Sequence, residues 1–204
     1  MTTSWLARLA HEGKRLLFGR GQRQDTRDRA TRLYARAVAQ ARQPFFYTDF
    51  GVPDTHDGRL EVIQLHVILL LRRLQRGDAT MRAVGQALFD VMFEDVDDSL
   101  REGGVGDLAV GKWIKTIAKQ FYARGAAVEG ALEQRDAASL GEILSVNVYG
   151  DHGEPGRVRA LAEYLLATDL ALAAALAAAD DPLAALQFPA PGTIQHDPAT
   201  ASTS

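Results

Sequence analysis

No cysteine occurs in the 204 residues. Disulfides, thiolate metal sites and cysteine nucleophiles are therefore excluded, and a reducing compartment is compatible with the chain without being required by it. Long apolar runs are missing too: nothing reaches the ~18 uninterrupted apolar residues of a membrane span. The best stretch, Leu161 to Ala179, is alanine-rich and carries Glu163 and Asp169. The N-terminus does not read as a secretory signal, because His11, Glu12, Lys14 and Arg15 break its apolar residues. Strand-like alternation, internal repeats and a G-x-S-x-G nucleophile motif are likewise absent. What is present is an apolar fraction of 47%, enough for one sizeable core.

The net charge of −3 is unevenly spread. Residues 1–36 hold nine Lys/Arg against three Asp/Glu, a balance of +6, which leaves −9 for the remainder. The basic residues fall on helical patterns. Over residues 4–18, Trp5, Leu6, Leu9, Leu16 and Leu17 share one arc, with Arg8, Lys14 and Arg15 outside it, a pattern suited to a membrane surface. A polar joint, GRGQRQDTRD, is expected to separate this helix from a second at 27–42, where Arg29, Arg32 and Arg36 oppose Leu33, Tyr34, Ala37, Val38 and Ala41. The acidic remainder and the lack of a recognised motif speak against nucleic-acid binding.

The stretch QPFFYTDFGVPDTHDG, with two prolines and two glycines, reads as an ordered loop. It feeds RLEVIQLHVILLLRRL, apolar on nearly every side, which predicts a central buried helix at about 59–75. Further helices are expected at 80–102, from Leu108 to about Gly125, near 126–134, at 137–148, and from Pro155, placed in a first turn, to about Ala179. Beyond Pro182 the residues lose periodicity and predict a flexible tail. The expectation is thus an all-α single-domain bundle with no substantial sheet: a basic N-terminal helix and joint at 1–24, a helical domain at 25–180 and a tail at 181–204.

Three features invite chemistry. GDLAVGKW, from Gly106 to Trp113, matches G-x-x-x-x-G-K, but Trp113 stands where a P-loop needs Ser or Thr, and the preceding run has helical spacing where a strand is required. It reads as a helix-to-helix joint. Asp90, Glu94, Asp97 and Asp98 share a stripe that could hold a hard metal ion; no E-x-x-H accompanies it and Arg101 falls within it, so a solvated or protein-binding acidic face is the simpler reading. His66 sits inside the apolar helix and reads as a hydrogen-bonded core residue, the alternative being a metal- or haem-handling enzyme that uses His66 with Asp90, Glu94 and Asp97. Asp95 projects onto the apolar arc of Met81, Val84, Leu88 and Val91, and is expected to be buried against a basic residue of a neighbouring helix.

Three segments together resemble the ubiquinol–cytochrome c chaperone family: YARAVAQARQPFFYTDFGVPDTHDGRLEVIQLHVILLLRRL, GQALFDVMFEDVDDSLREGGVGDLAVGKWIKTIAKQFYARG and SVNVYG. The resemblance runs from about Tyr34 to about Gly150, and its most specific pieces are the RQPFFYTDFGVPDTHDGR loop and the LREGGVGDLAVGK joint. Gly104 and His56 depart from the family pattern.

The resemblance implies an all-helical protein with no catalytic activity and no cofactor that assists assembly of the cytochrome bc1 complex. In mitochondrial relatives that help includes binding newly made cytochrome b, with a small second assembly factor and near the ribosome. The candidate partner-contacting residues are Arg42, Phe46, Tyr47, Asp54 and Arg59 of the loop with Asp97, Arg101, Asp107, Lys112 and Lys115 about the joint. The absence of a long presequence and the Ala, Arg and Gly bias lead to the expectation of a bacterial member in the cytoplasm, held peripherally at the inner membrane through residues 4–18.

Overall fold

The computed structural model describes residues 20–190, which contain eight helices and no strand. They are α1 (Arg20–Ala41), α2 (Phe45–Thr48), α3 (His56–Leu74), α4 (Ala79–Glu102), α5 (Asp107–Gln134), α6 (Ala137–Tyr149), α7 (Pro155–Ala178) and α8 (Pro182–Ala185). Trp5, Leu6, Leu9, Lys14, Arg15, Leu16 and Leu17 lie outside the described residues.

Helix α3 is the axis of the bundle and packs against α1, α4, α5, α6 and α7. Its unbroken apolar surface makes this possible, since Val62, Leu65 and Val67 to Leu71 are all buried. Thr55 caps its start by accepting a hydrogen bond from the Gly58 amide at 3.1 Å, while Arg72 and Arg73 occupy the last turn, where exposed carbonyls favour cations. Other boundaries follow the same chemistry. Asp78 and Asp136 cap α4 and α6, Glu154 caps α7 ahead of Pro155, and Gly150 ends α6 with φ of 56°.

Four expectations need correction. The polar joint at 19–28 is helical from Arg20 onward, stabilised by the i, i+4 contacts Gln24–Asp28 and Arg29–Asp25. The segment at 126–134 is no separate helix but the second half of α5, because burial of Val128, Ala131 and Leu132 outweighs the modest cost of Gly125 and Gly130. The aromatic loop contains the single helical turn α2. Finally, the tail is packed through Pro189: Leu183 and Leu186 are buried, the Phe188 ring meets His66 edge-on at 4.8 Å, and Arg36 Nη1 donates to the carbonyls of Leu183, Ala184 and Leu186.

Among the described residues α7 alone has the length and apolarity of a membrane crossing. Its interior side is that of a core helix. Tyr164 and Leu165 are fully buried, and Asp169, 4% exposed, meets Arg72 Nε at 3.2 Å and also pairs with Arg73. Arg72 in turn meets Glu129 of α5 at 2.6 Å, so a buried ionic cluster ties α3, α5 and α7 together.

Candidate functional site

A cavity of about 810 Å³ opens where the start of α3 meets the ends of α4 and α6 and the first half of α5. One wall comes from Tyr47 of α2, Pro53 and Thr55 of the loop before α3, and Asp57 and Arg59 of its first turn, with Arg42 just past the end of α1. The opposite wall is Val96, Leu100 and Val105 from the α4–α5 joint, and Trp113 and Ile117 from α5. Trp113 is 53% exposed, the largest side chain left uncovered among the described residues. The two sequence stretches that carry the family resemblance, separated by some forty residues of chain, therefore form facing walls of one cleft.

The loop wall is held by short-range contacts. Tyr47 donates its hydroxyl to the Ala41 carbonyl at 2.7 Å, and the Arg59 guanidinium lies 5.7 Å from the centre of its ring, a cation–π arrangement. Arg59 also donates to Asp54 at 2.6 Å, which holds the Asp54 carboxyl below its ordinary range. At the inner end of the cleft Glu61 pairs with Arg124, whose Nη1 also donates to Gln64 at 2.7 Å. Burial pushes the Glu61 carboxyl up to about 7, with Arg124 opposing the rise.

Of the sequence-based candidates, Arg42, Tyr47 and Arg59 line the cleft and Asp54 joins it through Arg59. Phe46 does not: it is fully buried, packed edge-on to His66 and Tyr164 at 5.2 Å, because α2 turns that ring into the core. Asp97, Arg101 and Asp107 form a separate exposed knot at the α4–α5 joint, with Arg101 bonded to Asp97 at 2.6 Å and paired with Asp107. Lys112 and Lys115 are exposed on α5, flanking Trp113. Trp113 and Glu61 also line the cleft but are not among the sequence-based candidates. Trp113 falls outside the stripe of Val110, Ile114, Ile117 and Phe121, and that offset was the available sign of an uncovered aromatic.

Asp95 is exposed on the cleft wall and not buried; it accepts from the Tyr34 hydroxyl at 2.6 Å. Its partner is thus a phenol, supplied by α1, in place of the expected base, and burial together with this bond raises the Tyr34 hydroxyl well above its ordinary range. The residues of the enzyme alternative are not brought together. His66 is fully buried, its Nδ1 2.8 Å from the Val62 carbonyl and its Nε2 2.9 Å from the Tyr164 hydroxyl, and burial pushes its pKa down to about 4. Asp90 accepts from Gln86, while Glu94 pairs with Arg27 and Asp97 with Arg101. Among the described residues no three His, Asp or Glu converge on a point where a metal could sit. The G-x-x-x-x-G-K match begins at the N-cap of α5, with α4 before it, and so has the helix-joining role expected of it.

The family described as ubiquinol-cytochrome C chaperone matches residues 48–185. The chain belongs to this family. The crystal structure of the Cbp3 homolog from Brucella abortus is similar, with a TM-score of 0.74 and 35% sequence identity over 82% of this chain and 92% of that one. No curated protein matches. The match to the ubiquinol–cytochrome c chaperone family begins later than the resemblance seen in the sequence but runs further, through α7 and α8, and takes in both walls of the cleft except Ala41, Arg42 and Tyr47.

Proposed function

We propose that this chain is a non-catalytic assembly chaperone that holds cytochrome b, or an early intermediate containing it, during biogenesis of the ubiquinol–cytochrome c reductase complex. The observation that carries the reading is the cleft, because both of the family's distinctive stretches converge there around an exposed tryptophan. Apolar Val96, Leu100, Val105 and Ile117 suit an apolar client segment, and Arg42, Arg59 and Asp57 set a polar rim that limits indiscriminate association. Attachment to the cytoplasmic face of a bacterial inner membrane through residues 4–18 would bring the cleft to an integral membrane client, with or without a second assembly factor.

The test is a photo-crosslinking amino acid at Trp113, activated in native membranes, with the captured protein identified by mass spectrometry. Cytochrome b as the main product supports the reading. Equal capture from a photo-crosslinker at Glu142, on the exposed surface of α6, would refute it. Lys112→Glu is expected to weaken capture with the fold intact.

A further inference from the structure

A second groove, of about 480 Å³, lies where α3 and α5 end beside the middle of α7, and shares no lining residue with the cleft. Arg72, Arg73, Arg76 and Arg135 all line it. Each guanidinium brings about five N–H donors, whereas the carboxylates of Glu129, Glu133 and Asp169 accept about four bonds each, so donors remain in excess. The excess is visible at Arg73, whose Nε is buried without a hydrogen-bond acceptor although its outer nitrogen pairs with Asp169. Arg135 is exposed in a left-handed C-cap conformation at the groove's edge. The remaining wall is apolar, and Leu170 stands 46% exposed beside the partly buried Leu166.

We infer that this groove docks an acidic amphipathic helix of a partner protein, with a carboxylate taken up by Arg135 and the exposed edge of Arg76, and a leucine-type side chain seated on Leu166 and Leu170. The charge pattern favours a protein carboxylate over an anionic bilayer. Glu133, 56% exposed, sits among the arginines and would repel a continuous negative surface, whereas a single carboxylate can reach the guanidiniums past it. Glu133 itself bonds Arg76 at 2.6 Å and lies 4.0 Å from Arg72, which demonstrates the geometry a second carboxylate would meet.

The probe is a fluorescein-labelled amphipathic peptide of about five helical turns, with leucines on one face and flanking glutamates, titrated with the full chain by fluorescence anisotropy. Saturable binding is expected, weakened about tenfold or more by Arg135→Glu and by Leu170→Asp, which alter exposed side chains, and similarly by replacing the peptide's glutamates with glutamine. Trp113→Ala should leave it unchanged, which separates this surface from the cleft. Absence of saturable binding, or loss of it in Trp113→Ala but not in Arg135→Glu, overturns the proposal. So does displacement of the peptide by phosphatidylglycerol vesicles but not by phosphatidylcholine vesicles, which would assign the groove to lipid.

Discussion

Two buried polar residues carry opposite lessons about charge. His66 is held neutral, and its folded pKa of about 4 lies below the ordinary value of 6.5. Between those values the unfolded chain binds more protons than the folded one, so this residue's contribution is intact above pH 6.5 and is lost as the pH falls toward 4. His66→Gln should therefore remove about 3 kcal/mol of the stability difference between pH 7 and pH 4, read from urea unfolding of variant and parent at both pH values. Asp169 is buried between Arg72 and Arg73 and pairs with both. Asp169→Ala strips Arg73 of its carboxylate partner in the core, and Arg72 of one of its two close ones, and should cost about 3–5 kcal/mol in the same assay at pH 7. Asp95→Ala, which removes only an exposed acceptor of the Tyr34 hydroxyl, should cost about 1 kcal/mol. The spacing of Asp95 placed it on an apolar arc, yet α1 supplies a phenol there and the helix edge stays wet, an outcome set by a neighbour sixty-one residues away in the chain.

At the level of elements, the loop and α3 are clamped together by a missing side chain. A Cβ on Gly58 would come within 2.1 Å of the Pro53 carbonyl oxygen, and backbone cannot swing aside as a flexible side chain could. Gly58→Ala should therefore push the loop from α3, lowering stability by about 1–3 kcal/mol in thermal unfolding and disturbing the wall formed by Pro53 and Thr55. Helix positions were largely legible, since α3, α4, α6 and α7 begin and end at residues with an evident chemical reason: Thr55, Asp78, Asp136, Gly150 and Pro155. The joints that were misread, at 19–28 and about Gly125, are glycine-containing segments whose helicity depends on context. Glycine there costs about 1 kcal/mol, small enough for adjacent helical residues and tertiary burial to override.

For the whole molecule, the separation of charge between the first thirty-six residues and the rest suggests a division of labour between attachment and client handling. If residues 4–18 rest on anionic lipid, each basic residue adds about 1 kcal/mol and the leucines a comparable total, giving reversible attachment. The full chain should then sediment with phosphatidylglycerol vesicles in a salt-sensitive way, and a variant lacking residues 1–19 should remain folded in the supernatant, checked by circular dichroism. Equal sedimentation of both would show that the basic segment serves another purpose.

Composition and periodicity were enough to set an all-helical bundle around the helix containing His66 and to reject the nucleotide-loop reading of GDLAVGKW, because each rests on local spacing; the family was indicated by the resemblance of contiguous motifs. The cleft was beyond their reach. Arg42, Tyr47 and Arg59 become neighbours of Leu100, Val105 and Trp113 only when α4 folds back along α1 and α3, and the same packing sends Phe46 inward. Whether an aromatic ring fills a core or lines a binding surface depends on which helix covers it, and that is decided by contacts between distant parts of the chain. The arginine groove has the same origin: Arg73 and Leu170 belong to α3 and α7 and Arg135 caps α5, and only their convergence leaves donors in excess beside an uncovered leucine.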